Sequence, residues 1–314
     1  MNIQVAITQK PPVLLDLSAS IEKAVSIIEE CAAEGAQLIV FPEAYLPGYP
    51  SWVWRLRPGG DIGLGNRLHT LLRKNSVDLS ANGLVKITEA AAQYNVVVVM
   101  GLNEIDSTYS GTTLYNTVVI IDNDGKILNR HRKLMPTNPE RMVWGCGDGS
   151  GLKVVDTACG RLATLICWES YMPLARFALY SQNVDIYIAP TWDSGKTWLD
   201  SMNFISREAG CWVLSTATAL QASDIPADFP DKDLLFPEQD EWINPGDAVI
   251  IKPFGGVEAG PLHQEKEVLY HTIDVDAAAS SRKSLDVSGH YNRPDIFQLE
   301  VNRKQQPPIS FVDE

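Results

Sequence analysis

Short, uninterrupted apolar runs that end in a proline or a reactive side chain constrain the fold of this chain more than any other feature. Residues 37–41, which are apolar from Leu38 to Phe41, form such a run, and Pro42 and Glu43 follow it. A strand that is apolar at every position is typical of an α/β sheet covered on both faces. Because proline cannot continue an interior strand, the pattern predicts a buried strand with Glu43 at its C-terminal end.

Helical patterns alternate with the predicted strands. After a first strand at residues 1–9, apolar side chains between residues 21 and 32 recur with the i, i+3, i+4 spacing of a helix. Ser18 or Ser20 is the candidate N-cap of this helix, and Gly35 marks its end. Further helices are predicted at residues 83–94, 172–182 and 198–209, and further strands at 96–100, 184–189 and 212–218.

Turn signals add hairpins to this order. The hairpins are predicted to pair residues 114–121 with 126–132, 152–157 with 162–166, and 248–252 with 267–273. Two stretches without a clear period, residues 46–65 and 223–246, are predicted to be long loops, the first of them on the surface. The whole pattern predicts an α/β fold with mixed strands in two sheets.

Composition and charge exclude several classes of protein. The chain has 314 residues, of which 45% are hydrophobic and 21% charged, as in an ordinary globular protein. Its net charge of −13 argues against nucleic acid or an anionic membrane as a partner. The most hydrophobic stretch, residues 96–102, is far shorter than a membrane span. No change in composition divides the chain into separate domains.

The cysteines and histidines indicate neither a disulfide framework nor a metal site. Five cysteines are an odd number without CxxC spacing, and the five histidines lack the spacing of zinc ligands. The first residues alternate as a strand, without the basic and apolar segments of a secretory signal. We therefore expect a cytoplasmic protein that binds no metal.

Reactive side chains stand at or just beyond the ends of three predicted strands. These segments are Phe41-Pro42-Glu43, His131-Arg132-Lys133 and Ile166-Cys167-Trp168-Glu169. Sites of α/β proteins lie at such strand ends. Taken singly, each residue has an ordinary structural explanation: an inert buried thiol, a solvated glutamate or a surface lysine.

Taken together, these segments resemble the nitrilase branch of the carbon-nitrogen hydrolases. The matching segments are Phe41-Pro42-Glu43-Ala44, His131-Arg132-Lys133-Leu134, Glu140-Arg141-Met142-Val143-Trp144-Gly145, Cys167-Trp168-Glu169 and Ser288-Gly289-His290-Tyr291. The ending Pro308-Ile309-Ser310-Phe311-Val312 is most similar to plant-type nitrilases and their bacterial relatives. The resemblance implies a four-layer αββα sandwich, with residues 1–314 as one domain that carries a short C-terminal extension.

The resemblance also implies a mechanism without a cofactor. It makes Cys167 the nucleophile, Glu43 the general base, Lys133 the electrostatic stabiliser and Glu140 a supporting carboxylate. An organic nitrile would be converted to its acid and ammonia through a thioimidate and an acyl-enzyme. Three alternatives stay open: an amidase with the same residues, a hydratase that releases mainly the amide, and a catalytically silent binding protein.

Several aromatic residues near these motifs are candidates for the substrate pocket, although the sequence does not distinguish a pocket wall from a core position. They are Tyr49, Trp144, Trp168, Tyr171 and Trp192. An aromatic pocket would favour aryl or arylalkyl nitriles. The family resemblance further implies a homo-oligomer built from dimers, which in nitrilases extends into spirals or filaments through contacts that do not close.

Overall fold

The computed structural model describes residues 1–309 and 312. Ser310 and Phe311 of the C-terminal motif lie outside the described residues. The helices are α1 (Leu17–Ala33), α2 (Ile62–Lys74), α3 (Val85–Tyr94), α4 (Pro173–Tyr180), α5 (Lys196–Ala209), α6 (Lys232–Leu235) and α7 (Ala277–Arg282).

The strands fall into both halves of the chain. They are β1 (Asn2–Thr8), β2 (Leu38–Val40), β3 (Val97–Ile105), β4 (Leu114–Ile121), β5 (Ile127–Arg132), β6 (Val155–Thr157), β7 (Gly160–Thr164), β8 (Ile186–Pro190), β9 (Trp212–Thr216), β10 (Leu220–Gln221), β11 (Trp242–Asn244), β12 (Gly246–Ile251), β13 (Val257–His263) and β14 (Val268–Asp274).

Two large mixed sheets carry the fold, as the sequence predicts. Within the described residues each has six strands, in the orders β14-β1-β2-β3-β4-β5, here called sheet A, and β13-β12-β9-β8-β7-β6, here called sheet B. One apolar core lies between the sheets, a second between sheet A and helices α1 and α3, and a third between sheet B and helices α4 and α5. The layers therefore form the expected αββα sandwich.

The alternation of side chains along each strand produces these cores. In β2, Leu38 and Val40 face the core between the sheets, whereas Ile39 faces the helices. In β8, Ile186 faces the core between the sheets and Tyr187 faces the helices. Burying one such aliphatic side chain contributes about 1.5–3 kcal/mol. A strand segment that packs against an apolar core on each face needs apolar side chains on both faces, which explains the apolar runs of the sequence.

The predicted hairpin between residues 248–252 and 267–273 is wrong. Strand β12 pairs instead with β13, and β14 pairs with β1 in the other sheet, where His271 lies opposite Val5. Strand β13 has the sequence Val-Glu-Ala-Gly-Pro-Leu-His, and most of its residues are exposed. An edge strand of this kind carries no apolar run, so the sequence pattern did not reveal it.

The first predicted loop, residues 46–65, is also wrong as a surface loop. It contains a short 3₁₀ helix, Ser51–Trp54, and the first turn of α2, a helix that the sequence pattern missed. Leu46, Tyr49 and Trp52 in this stretch are buried. Their aromatic and apolar side chains pack without a helical or strand period, so burial there left no periodic signal.

Helix α1 begins earlier than the sequence pattern predicts. Its N-cap is Asp16, whose carboxylate accepts a hydrogen bond from Ala19 N at 2.9 Å. Ser20 lies inside the helix, where its hydroxyl donates to Val13 O.

Among the helices in the described part of the chain, none is both long enough and apolar enough to cross a membrane.

Candidate active site

Three strand ends from two different sheets converge on one buried cluster. Glu43 follows β2 and Lys133 follows β5, both in sheet A, whereas Cys167 follows β7 in sheet B. All three side chains are almost fully buried. The packing of the two sheets thus brings together residues that lie far apart in the sequence, as the motifs predict.

The centre of the cluster is the ammonium group of Lys133. Its Nζ donates to Glu43 Oε1 at 2.8 Å and to Glu140 Oε2 at 2.7 Å. No part of the Lys133 side chain is exposed. Because a buried charge without partners is very costly, the two carboxylates are what allow an ammonium group in this position.

Glu43 is held by residues from neighbouring strands. Asn116 of β4 donates its side-chain amide to Glu43 Oε1 at 2.6 Å, and its backbone oxygen accepts from Lys133 N at 2.8 Å. One residue therefore positions both members of the ion pair. Within the described residues, Glu43 Oε2 has no hydrogen-bond partner. This oxygen is free to take a proton.

Charge balance explains the protonation behaviour of the cluster. One ammonium faces two carboxylates, so the ionised cluster carries an excess negative charge in a buried space. Burial raises the pKa of Glu43 to about 7, although Lys133 acts in the opposite direction. Burial alone would lower the pKa of Lys133, but Glu43, Cys167 and Glu140 together raise it above its ordinary value. Lys133 is therefore a permanent cation, and Glu43 titrates near neutrality.

Cys167 stands in an unusual backbone conformation. Its φ of 54° places it in the left-handed region, which residues with a side chain rarely adopt. Such conformations concentrate at functional sites. Burial, reinforced by Glu43, raises the pKa of the Cys167 thiol well above its ordinary value. The resting thiol is consequently protonated and needs a base to become a nucleophile.

Glu140 is anchored more firmly than Glu43. It lies in a 3₁₀ helix, Asn138–Met142, that begins after Thr137. Its Oε1 accepts from the Tyr49 hydroxyl at 2.6 Å, and its Oε2 accepts from Thr137 N at 2.6 Å in addition to Lys133. With these donors around both oxygens, Glu140 is suited to hold Lys133 in place rather than to move a proton.

A cavity of about 110 Å³ leads to Cys167. Tyr49 and Trp192 line this cavity, and their rings stack with centroids 4.2 Å apart. Trp54 Nε1 donates a hydrogen bond to the Tyr49 hydroxyl at 3.0 Å. The half-exposed Trp168 donates from Nε1 to Asp193 Oδ2 at 2.7 Å. The lining residues are Tyr49, Trp54, Thr137, Glu140, Cys167, Trp168, Trp192 and Asp193.

The structure divides the five predicted aromatic residues. Tyr49, Trp168 and Trp192 line the cavity. Trp144 lies behind the cavity, packed edge-on against Tyr49, with Lys133 Nζ 6.0 Å from the centre of its ring. Tyr171 packs on Trp198 on the helix side of sheet B and lies outside the cavity lining. Trp144 supports the wall from behind, and Tyr171 belongs to the packing around α5.

Sequence reasoning missed four residues of the site. Trp54, Thr137 and Asp193 line the cavity, and Asn116 holds Glu43. Asn116 had a usable signal, because it lies two residues before the apolar part of β4 and a buried amide requires a hydrogen-bond partner. Trp54 had none, since the direction of its side chain depends on the fold of residues 46–65.

The described part of the chain contains no cluster of three or more His, Cys, Asp or Glu side chains arranged to hold a metal ion. In the site itself, both carboxylates of the cluster are bonded to the ammonium group of Lys133. That ammonium occupies the position that a cation would take.

Gly101 controls the position of Glu43, and replacing it with alanine should damage the site. A Cβ at this position in β3 would lie 2.0 Å from Pro42 O and 2.8 Å from Ala44 N, so the backbone around Glu43 would have to shift. We expect Gly101→Ala to cost about 1–3 kcal/mol of unfolding free energy and to lower activity. Gly63→Ala is the matched control, because in the described part of the chain no heavy atom other than its chain neighbours and the nearby backbone of α2 lies within 4 Å of its Cβ position. Denaturant unfolding with unchanged stability for Gly101→Ala would contradict the close-approach argument.

The sequence also matches known proteins. The family described as "Carbon-nitrogen hydrolase" matches residues 4–283. "Nitrilase 2" of Arabidopsis thaliana is 39% identical over 99% of this chain and 91% of its own length. A "Bifunctional nitrilase/nitrile hydratase" of Nicotiana tabacum is 36% identical over 99% of this chain and 89% of its own.

A solved structure shares the fold. Saccharomyces cerevisiae Nit3, described as a member of branch 10 of the nitrilase superfamily, superposes with a TM-score of 0.71 at 19% identity, covering 93% of this chain and 97% of its own. At this identity the likeness speaks for the fold alone, whereas the sequence relatives identify the branch. The chain therefore belongs to the carbon-nitrogen hydrolase family, within its nitrilase branch, and is a hydrolytic enzyme of that family.

Proposed function

We propose that this enzyme is a nitrilase that converts an organic nitrile and two water molecules to a carboxylic acid and ammonia. The observation that carries the proposal is the buried contact of Lys133 with Glu43 and Glu140 beside the cavity that reaches Cys167. The names of the sequence relatives support a nitrile rather than another substrate with a carbon-nitrogen bond.

The first half of the reaction forms a thioimidate. Glu43 takes the thiol proton as Cys167 Sγ attacks the nitrile carbon, and one C≡N bond pair becomes a lone pair on nitrogen. Glu43 then returns the same proton to that nitrogen, which completes the thioimidate. Negative charge develops on that nitrogen. The fixed ammonium of Lys133 stabilises this charge without having to reorganise, because its two carboxylate partners already hold it.

The second half releases both products. Water adds to the thioimidate carbon, and the tetrahedral intermediate expels ammonia to leave a thioester on Cys167. A second water then hydrolyses the thioester to the acid and returns the proton to the thiol. Glu43 is suited to activate both waters, since its pKa of about 7 lets it accept and return protons near neutrality.

A second product is also supported. If the tetrahedral intermediate expels Cys167 Sγ instead of ammonia, the enzyme releases an amide. The relative from Nicotiana tabacum carries both activities in its name. We therefore propose nitrile hydration as a side reaction of the same intermediate.

A substrate panel tests this proposal. Aliphatic, aryl, arylaliphatic and cyanoalanine nitriles are incubated with the enzyme, and ammonia, acid and amide are each quantified, with the matching amides as parallel substrates. A nitrilase releases ammonia from the nitrile faster than from the amide. Faster hydrolysis of the amide would assign the enzyme to the amidases, and amide as the main product would assign it to the hydratases.

The rate should depend on pH through Glu43. Only the ionised carboxylate accepts a proton, and burial raises the pKa of Glu43 to about 7. We expect kcat/KM for a nitrile that does not titrate to fall about tenfold per pH unit below pH 7 and to level off above it. If kcat/KM instead rises with an apparent pKa near 4.3, the ordinary pKa of a glutamate, Glu43 is not the base.

Trp192 should limit the size of the nitrile that fits beside Cys167. Because its ring lines the cavity and stacks on Tyr49, Trp192→Ala opens space beside Cys167. We expect the ratio of activity on a bulky arylalkyl nitrile to that on a small aliphatic nitrile to rise about tenfold or more.

The control for Trp192 is Trp198→Ala. Trp198 lies fully buried in α5, so its loss should lower the melting temperature and both activities together without changing their ratio. The same behaviour in Trp192→Ala would show that Trp192 is a core residue and not a wall.

A further inference from the structure

The mechanism above leaves one buried carboxylate of the Cys-Trp-Glu motif without a role. Glu169 is 2% exposed. Its Oε1 accepts from the backbone nitrogen of Leu134 at 2.5 Å, and its Oε2 accepts from the backbone nitrogen of Ile166 at 2.7 Å. Leu134 directly follows Lys133, and Ile166 directly precedes Cys167.

The two backbone groups belong to different sheets. Leu134 continues the chain that leaves β5 in sheet A, and Ile166 lies beyond the end of β7 in sheet B. A single carboxylate therefore ties the two strand ends together at the site itself. Because each oxygen accepts from one of these amides, the carboxylate fixes the separation of the two backbone segments.

His131 holds the carboxylate from a third side. Its Nε2 lies 3.0 Å from Glu169 Oε2 and 3.2 Å from Oε1, and its side chain is fully buried. A Cβ on Gly151 would lie 2.7 Å from His131 Nδ1, so this nitrogen faces the backbone of Gly151. With the proton on Nε2, the ring donates to Glu169, and the carboxylate is held by donors on both oxygens.

We propose that Glu169 is a positioning residue that sets the distance between the Lys133 ammonium and the Cys167 thiol, with His131 fixing the carboxylate. Glu169 is not among the residues that line the cavity, so it acts through the backbone next to Lys133 and Cys167. This inference rests on the nitrilase mechanism proposed above.

The chemistry of the contact explains why a carboxylate is required. The side chain of glutamine has the same shape, but one oxygen is replaced by an NH₂ donor, so it accepts from only one of the two amides. The other amide would face a donor, and the two segments would separate. Displacements of about 1 Å between reacting groups cost up to about 10²-fold in rate.

Glu169→Gln is the principal test. We expect kcat to fall about 10- to 100-fold, with KM within about twofold of wild type, since no substrate contact is lost. Alkylation of Cys167 by iodoacetamide at pH 7, followed by mass spectrometry of its peptide, should slow at least about fivefold because the thiolate loses the nearby cation.

Glu104→Gln is the matched control. Glu104 is also buried, and it also holds β5, but through the side chains of Arg130 and Arg132 and not through the backbone next to Lys133. This variant should lose stability while keeping kcat and the alkylation rate within about threefold of wild type. If a folded Glu169→Gln behaves like Glu104→Gln in both assays, the proposal is wrong.

If Glu169→Gln does not fold, variants of His131 test the positioning role of Glu169. His131→Leu removes the donor to Glu169 and should lower both kcat and the alkylation rate, whereas His131→Gln keeps a donor and should restore most of both. Equal rates in these two variants would overturn the proposal. Alkylation of Cys167 needs no nitrile, so it also separates the two proposals. If wild-type Cys167 is alkylated normally but the enzyme hydrolyses no nitrile, the proposed function is wrong, and the alkylation rates of the variants still test the positioning role.

Discussion

Cys167→Ala should abolish nitrile turnover, lowering kcat by at least about 10⁴-fold, because among the described residues that line the cavity only Cys167 carries a thiol. Cys167→Ser should be nearly as inactive. The hydroxyl is a much weaker nucleophile, and the base available to it, Glu43, has a pKa of only about 7. Ammonia release under single-turnover conditions measures both variants.

Two further measurements make this prediction specific to Cys167. Enzyme quenched during turnover should show an acyl adduct in its intact mass. Digestion and mass spectrometry should place this adduct on the peptide that contains Cys167. Cys146→Ala removes the exposed free cysteine and should leave activity unchanged. Near-normal turnover in Cys167→Ala, or an adduct on another peptide, would contradict covalent catalysis by Cys167.

Glu43→Gln should lower kcat/KM by about 10²- to 10⁴-fold and remove the limb near pH 7. The amide keeps the size of the side chain and an oxygen for Lys133, but it cannot accept a proton. Because burial raises the thiol pKa, Cys167 needs a base. Glu140, the other carboxylate of the cluster, already accepts hydrogen bonds on both oxygens. The measurement is kcat/KM between pH 5 and 9 beside a thermal unfolding curve.

Glu104→Gln again supplies the comparison, since it also neutralises a buried carboxylate of sheet A outside the cluster. It should lower the melting temperature and keep the pH profile. The role of Glu43 as general base is untenable if Glu43→Gln keeps more than about a tenth of the wild-type rate with an unchanged profile.

The strand ends were predictable because burial on both faces leaves a direct trace in the sequence. The run before Glu43 is apolar from Leu38 to Phe41, the run before Cys167 has one polar residue, Thr164, and Pro42 marks where the first run stops. Strand β13 and helix α2 were not predictable in this way. The first lies at an edge and is mostly exposed, and the second begins in a stretch where aromatic packing conceals the period.

The positions of Lys133 and Cys167 were easier to predict than the aromatic lining of the cavity. Lys133 and Cys167 follow strands whose ends meet at one place, so their positions follow from topology. The direction of an aromatic side chain depends instead on loop conformation. Trp192 reaches the cavity, and Tyr171, only four residues beyond Cys167, turns away to Trp198. Position along the chain places Tyr171 near Cys167, but it does not determine the direction of the side chain.

In the proposed mechanism, the apolar core between the two sheets also affects catalysis. Glu43 and Lys133 lie at strand ends of sheet A and Cys167 at a strand end of sheet B, so the thickness of this core sets the distance between the thiol and the two groups proposed to activate it. A substitution at Val118 or Ile188 that widens or tilts the layer would change turnover from a place that substrate never reaches. Engineering for heat resistance is therefore safest in the two outer cores beneath the helices, where repacking leaves the spacing of the sheets intact.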